Sequence, residues 1–175
     1  MLLKKIFIAH VIFDITTEVR YNTSESEVFI MQVSSRFTIA VHMFVCMEYF
    51  KDKVKITSDV MAASVTANPV IIRKIMGQLK AAGLVTVARG SGGMLPTREA
   101  KDITLLDIFR AVEPFENGRM FHFHENPNAA CPVGRSIHDV LDHKLDEAQR
   151  ALEVVLAQTS VADLISDTKK YVGEE

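Results

Sequence analysis

Residues 57–96 limit the possible folds of this chain more than any other stretch. Asn68-Pro69 predicts the start of a helix over 69–82, because Asn is a favoured N-cap and Pro a favoured first helical residue. Gly83 follows as the usual glycine after a helix end. A shorter helix precedes it, capped by Thr57-Ser58-Asp59. Two helices joined by three or four residues indicate a helix-turn-helix.

A β-hairpin is predicted directly after this helix pair. Residues 84–88 form a strand pattern, 89–93 a glycine-rich tip and 94–96 a returning strand. This is the position of a wing, and a glycine tip approaches a DNA backbone closely because it has no Cβ. An ordinary flexible turn is the alternative for the tip taken alone. A nucleotide-binding P-loop is not indicated, since its lysine and following helix are missing.

The remaining helices complete the predicted fold, which is mainly α with a small β-hairpin wing. Ser34-Ser35 begins a first helix over 35–50, and Thr104 opens a capping box before a fourth. A long helix over 133–158 has an apolar seam with near-heptad spacing, which favours a dimerisation helix. The alternative is packing of that seam within its own chain. The seam consists of Ile137, Leu141, Leu145, Ala148, Leu152 and Val155.

In the helix over 69–82, we expect one stripe of apolar side chains to be buried. These residues are Val70, Ile71, Ile75, Leu79 and Ala82.

Charge is distributed unevenly, although the chain of 175 residues has a net charge of only −2. Residues 31–98 contain nine basic and three acidic residues, whereas residues 99–175 contain eight basic and fifteen acidic ones. A basic head joined to an acidic body suits a protein that binds a polyanion. Chance clustering on a solvated face is the alternative.

We divide the chain into four parts. Residues 1–30 form an N-terminal extension, interpreted as non-essential, or alternatively as an extra strand or arm. Its apolar run is too short to span a bilayer and lacks a cleavage site, so no membrane partner is expected. Residues 31–98 form the winged helix-turn-helix and 99–130 a linking helix with a sensor-like loop. Residues 131–175 hold the dimerisation helix and a C-terminal helix.

The two cysteines, Cys46 and Cys131, lie far apart and form neither a CxxC motif nor a disulfide framework, which fits a reducing cytoplasm. Cys131 precedes the long helix, where a helix N-terminus lowers a thiol pKa and favours oxidation. It is therefore our candidate sensor, either as a thiol switch or as a weak metal ligand with nearby histidines. A structural role in the Cys-Pro turn is the alternative. An enzyme is not expected, since no third group orients a Cys/His pair.

Several motifs in this order resemble the Rrf-two (BadM-like) family of winged-helix regulators. They are the segments 31–36, 68–75, 82–85, 89–93 and 102–105, while 124–134 looks most like the cluster-free, YwnA-like branch. The resemblance implies a homodimer with crossed long helices that binds DNA and usually represses stress genes. Well-known members hold an iron–sulfur cluster on three cysteines before the long helix. Only Cys131 stands there in this chain, so we expect no cofactor and no metal.

We therefore expect a cytoplasmic transcription regulator, acting as a repressor on a palindromic operator, with the helix over 69–82 in the major groove. In this hypothesis the regulator responds to redox state or to a small ligand. A winged helix used only for protein contacts and an iron–sulfur or metal sensor are the alternatives. The DNA-contact candidates are Ser34, Ser35, Arg36, Ser64, Thr66, Asn68, Arg73, Lys74, Arg89, Gly90, Ser91, Gly92 and Gly93.

Overall fold

A computed structural model gives the fold of this chain. The residues that it describes are 35–51, 53–88, 93–113, 115, 118–121 and 124–173. The predicted N-terminal extension lies outside these residues, as does Ser34.

Six helices and one two-stranded sheet make up the described part of the chain. The helices are α1 (Ser35–Tyr49), α2 (Ser58–Val65), α3 (Pro69–Ala81), α4 (Leu105–Val112), α5 (Pro132–Ala157) and α6 (Val161–Val172). The strands are β1 (Val85–Val87) and β2 (Met94–Pro96), and a single 3₁₀ turn covers Ala100–Asp102. The predicted mainly helical fold with a small hairpin is confirmed. No helix among the described residues is long and apolar enough to cross a bilayer.

One apolar core joins the helix-turn-helix to the helices that follow it. Phe44 of α1, Met61 of α2 and Ile75 of α3 are fully buried in it. Ile108 of α4 and Val161 of α6 belong to the same cluster. Burying a side chain of this size stabilises the fold by roughly 1.5–3 kcal/mol. Residues late in the chain therefore pack against the buried side of the α2–α3 pair and help to fix its position.

The starts of α4 and α6 lie side by side, which explains how the end of the chain returns to the core. Thr104 and Ser160 form an isolated antiparallel bridge, and each begins a helix with a complete capping box. The Val161 N–H donates to the carbonyl oxygen of Ile103 at 2.9 Å. Reciprocal capping satisfies backbone N–H groups that a helix start otherwise leaves unpaired.

The prediction for the buried stripe of α3 is wrong at three positions. Ile72, Ile75 and Leu79 are fully buried, whereas Val70 is 64% exposed and Ile71 is 44% exposed. Ala82 is also exposed. At 100° per residue, Ile72, Ile75 and Leu79 share one face of the helix, and Val70 lies on nearly the opposite face. The sequence contains more apolar residues at the start of α3 than its buried face uses.

Candidate nucleic-acid interface

A tight turn sets the angle between α2 and α3. Thr66 ends α2 in the left-handed conformation, with φ 55°, and its N–H donates to the carbonyl oxygen of Ala62. Two residues later, Asn68 Oδ1 accepts the Val70 N–H at 2.8 Å and so caps α3. The three residues 66–68 thus end one helix and begin the next. The first turn of α3 is exposed, although the sequence reasoning placed Val70 and Ile71 of this turn in the core.

The outward face of α3 combines basic and small or apolar side chains. Val70, Lys74, Gly77 and Ala81 are all exposed and follow the i, i+4, i+7, i+11 spacing of a single helix stripe. Arg73 lies beside this stripe and is also exposed. A helix whose outer face carries positive charge and few long side chains is suited to lie against a polyanion.

Arg73 and Lys74 are the predicted contacts that this face brings together. The Arg73 guanidinium lies 3.9 Å from Asp59 Oδ1, with 60% of the arginine side chain exposed. An exposed ion pair of this kind contributes at most about 1 kcal/mol. Arg73 can therefore leave Asp59 for a phosphate or a base at little cost.

Two other predicted contacts already have partners within the fold. Asn68 Oδ1 is used in capping α3. The Ser64 hydroxyl lies 3.1 Å from His42 Nε2 and 3.5 Å from the buried Cys46 Sγ. Both contacts of Ser64 reach back to α1, so this serine links α2 to α1.

At the start of α1 the predicted contacts differ in their exposure. Ser35 is exposed and is the first residue of the helix, and its carbonyl oxygen accepts the Thr38 hydroxyl at 3.0 Å. Arg36 is half-buried and interacts with other groups of the protein.

The base of the wing is held firmly against the segment before α2. β1 and β2 pair antiparallel, with Thr86 opposite Leu95. The Met94 N–H donates to the Ile56 carbonyl oxygen at 2.8 Å. Gly93 has φ +79°, and a Cβ there would lie 3.0 Å from the Ile56 carbonyl oxygen, so only glycine fits. The tip residues Arg89, Gly90, Ser91 and Gly92 lie outside the described residues.

Cys131 is exposed and occupies the N-cap position of α5. The backbone N–H groups of Gly134 and, to a lesser extent, Val133 interact with its sulfur and lower the pKa of the thiol below its usual range. A Cβ on Gly134 would fall onto the Asn128 carbonyl oxygen, so this glycine allows the preceding loop to lie on the first turn of α5. The thiol is thus placed where it ionises readily and meets solvent.

Two histidines near Cys131 interact with each other and with an aspartate. The His124 and His138 rings stack 5.4 Å apart, and His138 Nδ1 lies 3.1 Å from Asp142 Oδ1. Within the described ranges, no group of three or more His, Cys, Asp or Glu residues is arranged to hold a metal ion. Cys46 is buried in the core on α1. A cluster held by several thiolates does not fit this residue set.

The long helix α5 has apolar side chains that the described part of the chain leaves uncovered. None of its 26 residues is buried. Polar contacts help to attach α5 to other parts of the described chain. Arg110 of α4 lies 2.8 Å from Glu153, and the Met120 N–H donates to Gln149 Oε1 at 2.9 Å. The exposed apolar side chains of α5 include Val133, Val140, Leu141, Ala148, Val154 and Val155. Of the predicted seam, Ile137, Leu145 and Leu152 are half-buried.

Comparison with known proteins explains this combination of features. Residues 33–167 match the model of the Rrf2 family, described as iron-dependent transcriptional regulators. The chain belongs to the Rrf2 family, as the sequence motifs indicated. It is therefore a transcriptional regulator that binds DNA through a winged helix. The family description names iron, whereas this chain has two cysteines, of which Cys46 is buried on α1 and Cys131 is exposed at the start of α5.

Individual relatives agree with the family assignment. YwnA of Bacillus subtilis (strain 168), named as an HTH-type transcriptional regulator, is 36% identical over 134 residues, which are 77% of this chain and 97% of YwnA. A transcriptional regulator from Lactobacillus plantarum is 26% identical, with a TM-score of 0.65 over 77% of this chain and 90% of its own. IscR of T. potens, at 21% identity, has a TM-score of 0.57 and covers 80% of this chain and 90% of its own.

Sequence reasoning missed three exposed residues of α3. Val70 and Ile71 were assigned to the core, and Gly77 was not considered. The spacing of Ile72, Ile75 and Leu79 was the available signal, because these three residues alone define the buried face of α3.

Proposed function

We propose that this Rrf2 regulator binds a palindromic operator as a homodimer in the cytoplasm and represses the genes beside it. The observation that carries the proposal is the exposed first half of α3, with Arg73 and Lys74 beside short side chains. In a helix-turn-helix protein this part of the second helix contacts base edges in the major groove. A dimer bound across a promoter excludes the polymerase, which is the simplest route to repression.

The phosphate backbone would be contacted on both sides of α3. Ser35 begins α1, where backbone N–H groups favour a phosphate oxygen. The wing would reach the adjacent minor groove through Arg89, since narrow A·T stretches attract arginine. These contacts position the protein on DNA, and the contacts of α3 supply sequence readout.

Dimerisation would use the exposed apolar side of α5. Val133, Val140 and Val154 lie seven or fourteen residues apart, and Leu141, Ala148 and Val155 are spaced by seven. Seven-residue spacing keeps apolar side chains along one line of a helix pair. A helix of 26 residues spans about 39 Å at 1.5 Å per residue, which is long enough for an extensive contact with its copy. Two α3 helices would then face one duplex.

A response to redox state would act through Cys131. Its exposure and its lowered pKa favour the thiolate, which is the form that oxidants attack. Its position at the start of α5 connects its chemistry to the proposed dimer helix. Cys131→Ser is expected to abolish oxidant-dependent release of DNA while leaving DNA binding by the reduced protein unchanged.

The proposal is tested by genome-wide mapping of bound DNA, followed by titration of the identified operator at several salt concentrations. We expect affinity to fall steeply as salt rises, because Lys and Arg release counterions from the phosphates. Arg73→Ala should cost about 1–3 kcal/mol of binding if the side chain contacts a base. Arg135→Ala, which removes an exposed arginine in the acidic half, is the matched control and should change little. Absence of DNA retardation at low salt would favour the protein-contact alternative.

A further inference from the structure

The first turn of α3 exposes two branched apolar side chains at the corner that the proposed function directs into DNA. Val70 is 64% exposed and Ile71 is 44% exposed, although both residue types are usually buried. Neither is needed for the core, because Ile72, Ile75 and Leu79 already fill the buried face of the helix. These two apolar side chains are therefore available to an apolar partner that contacts the first turn of α3.

The neighbouring side chains restrict what that partner is. Lys74 and Arg73 lie on the same outward side of α3, which selects for a polyanion rather than for an apolar protein groove. Gly77 and Ala81 continue the stripe with almost no side-chain bulk, and no atom lies within 4 Å of a Cβ built on Gly77. The helix axis can thus approach closely enough for the short Val70 side chain to reach a base.

The only apolar group that base pairs present in the major groove is the 5-methyl group of thymine. We propose that Val70, with Ile71 beside it, reads thymine methyl groups in each operator half-site and is a specificity-determining residue of this regulator. This inference rests on the proposed operator binding and adds the base type that the first turn of α3 selects. Arg73 and Lys74 supply attraction to the backbone or to guanine, whereas Val70 discriminates thymine from cytosine.

Deoxyuridine substitution tests this directly, because it removes only the methyl group and keeps every hydrogen-bonding group of thymine. Each thymine of the mapped operator is replaced in turn, and affinity is measured by fluorescence anisotropy. At one or two positions in each half-site we expect a loss of about fourfold per methyl group, the value for burying one such group. In Val70→Ala the same substitutions should have no further effect, since the partner of the methyl group has been removed.

Two variants serve as controls. Val172→Ala removes a valine of comparable exposure at the end of α6, 54% against 64% for Val70, and should retain the full deoxyuridine effect. Val70→Thr keeps the shape of the side chain but places a hydroxyl in the contact, so its affinity should fall without loss of the fold. If the operator is bound and every deoxyuridine substitution is neutral, methyl readout is refuted while the proposed function stands. If no sequence is bound specifically, both are refuted.

Discussion

Side chains added at Gly77 are predicted to affect folding and DNA binding in opposite directions: a small one should stabilise the fold, and a large one should weaken DNA binding. It lies in the interior of α3 without positive φ, and a Cβ built on it meets no atom within 4 Å. Glycine in an exposed helix interior is less favourable than alanine by about 0.8–1.0 kcal/mol. Gly77→Ala should therefore stabilise the free protein by nearly that amount, raising Tm by about 2–4 °C.

The assay is thermal unfolding at one fixed protein concentration, since the proposed dimerisation would make Tm depend on concentration. Gly83→Ala is the matched control, because Gly83 has φ +71° and alanine is strained there by about 1–2 kcal/mol. Its Tm should fall. A fall in Tm for Gly77→Ala as well would refute the argument, because it would show that the fold itself needs glycine at this position.

The binding half of the prediction uses a larger side chain at the same site. Gly77→Gln should leave the fold intact but hold α3 away from the groove. Overpacking of a close contact costs about 1–3 kcal/mol, so operator affinity should fall by about fivefold to 150-fold. Unchanged affinity would show that α3 does not lie close to DNA at its middle.

Two further predictions concern the long helix and its first residues. Val155→Glu places a charge on the exposed apolar side of α5 and should convert the dimer to a monomer in sedimentation experiments, whereas the exposed Asp139→Glu should not. The backbone N–H groups near Cys131 lower the pKa of its thiol and favour the thiolate. As pH falls, its alkylation by iodoacetamide should therefore slow at a lower pH than the alkylation of an ordinary cysteine. Unfolded protein is the reference in that experiment, and an identical pH profile in both states would contradict the lowered pKa.

The order of the helices could be predicted from the sequence because helix capping follows local rules. Asn68-Pro69 and Thr104 each begin a helix where the pattern placed it, because a cap depends only on residues within one turn. The hairpin was also predicted from a local pattern, but the close approach of its Gly93 to Ile56 joins residues that are far apart in the sequence.

Long-range packing explains what the sequence did not reveal. The burial of Val161 in the core of the helix-turn-helix depends on the return of α6 to residues 103–105, and no local pattern encodes such a return. Val70 and Ile71 were misplaced for a related reason. Periodicity indicates which residues are apolar at helical spacing, but a surface that binds a partner carries the same residue types as a core.

The measurement that tests the central claim most directly is the stoichiometry on a single operator duplex. Sedimentation of the complex at protein concentrations above saturation should give two chains per duplex, with both half-sites protected from cleavage. A duplex with one half-site scrambled should bind much more weakly, because only one α3 then meets its bases. One chain per duplex with undiminished affinity, or equal protection of unrelated DNA, would contradict the account of a dimer that presents two recognition helices to one palindrome.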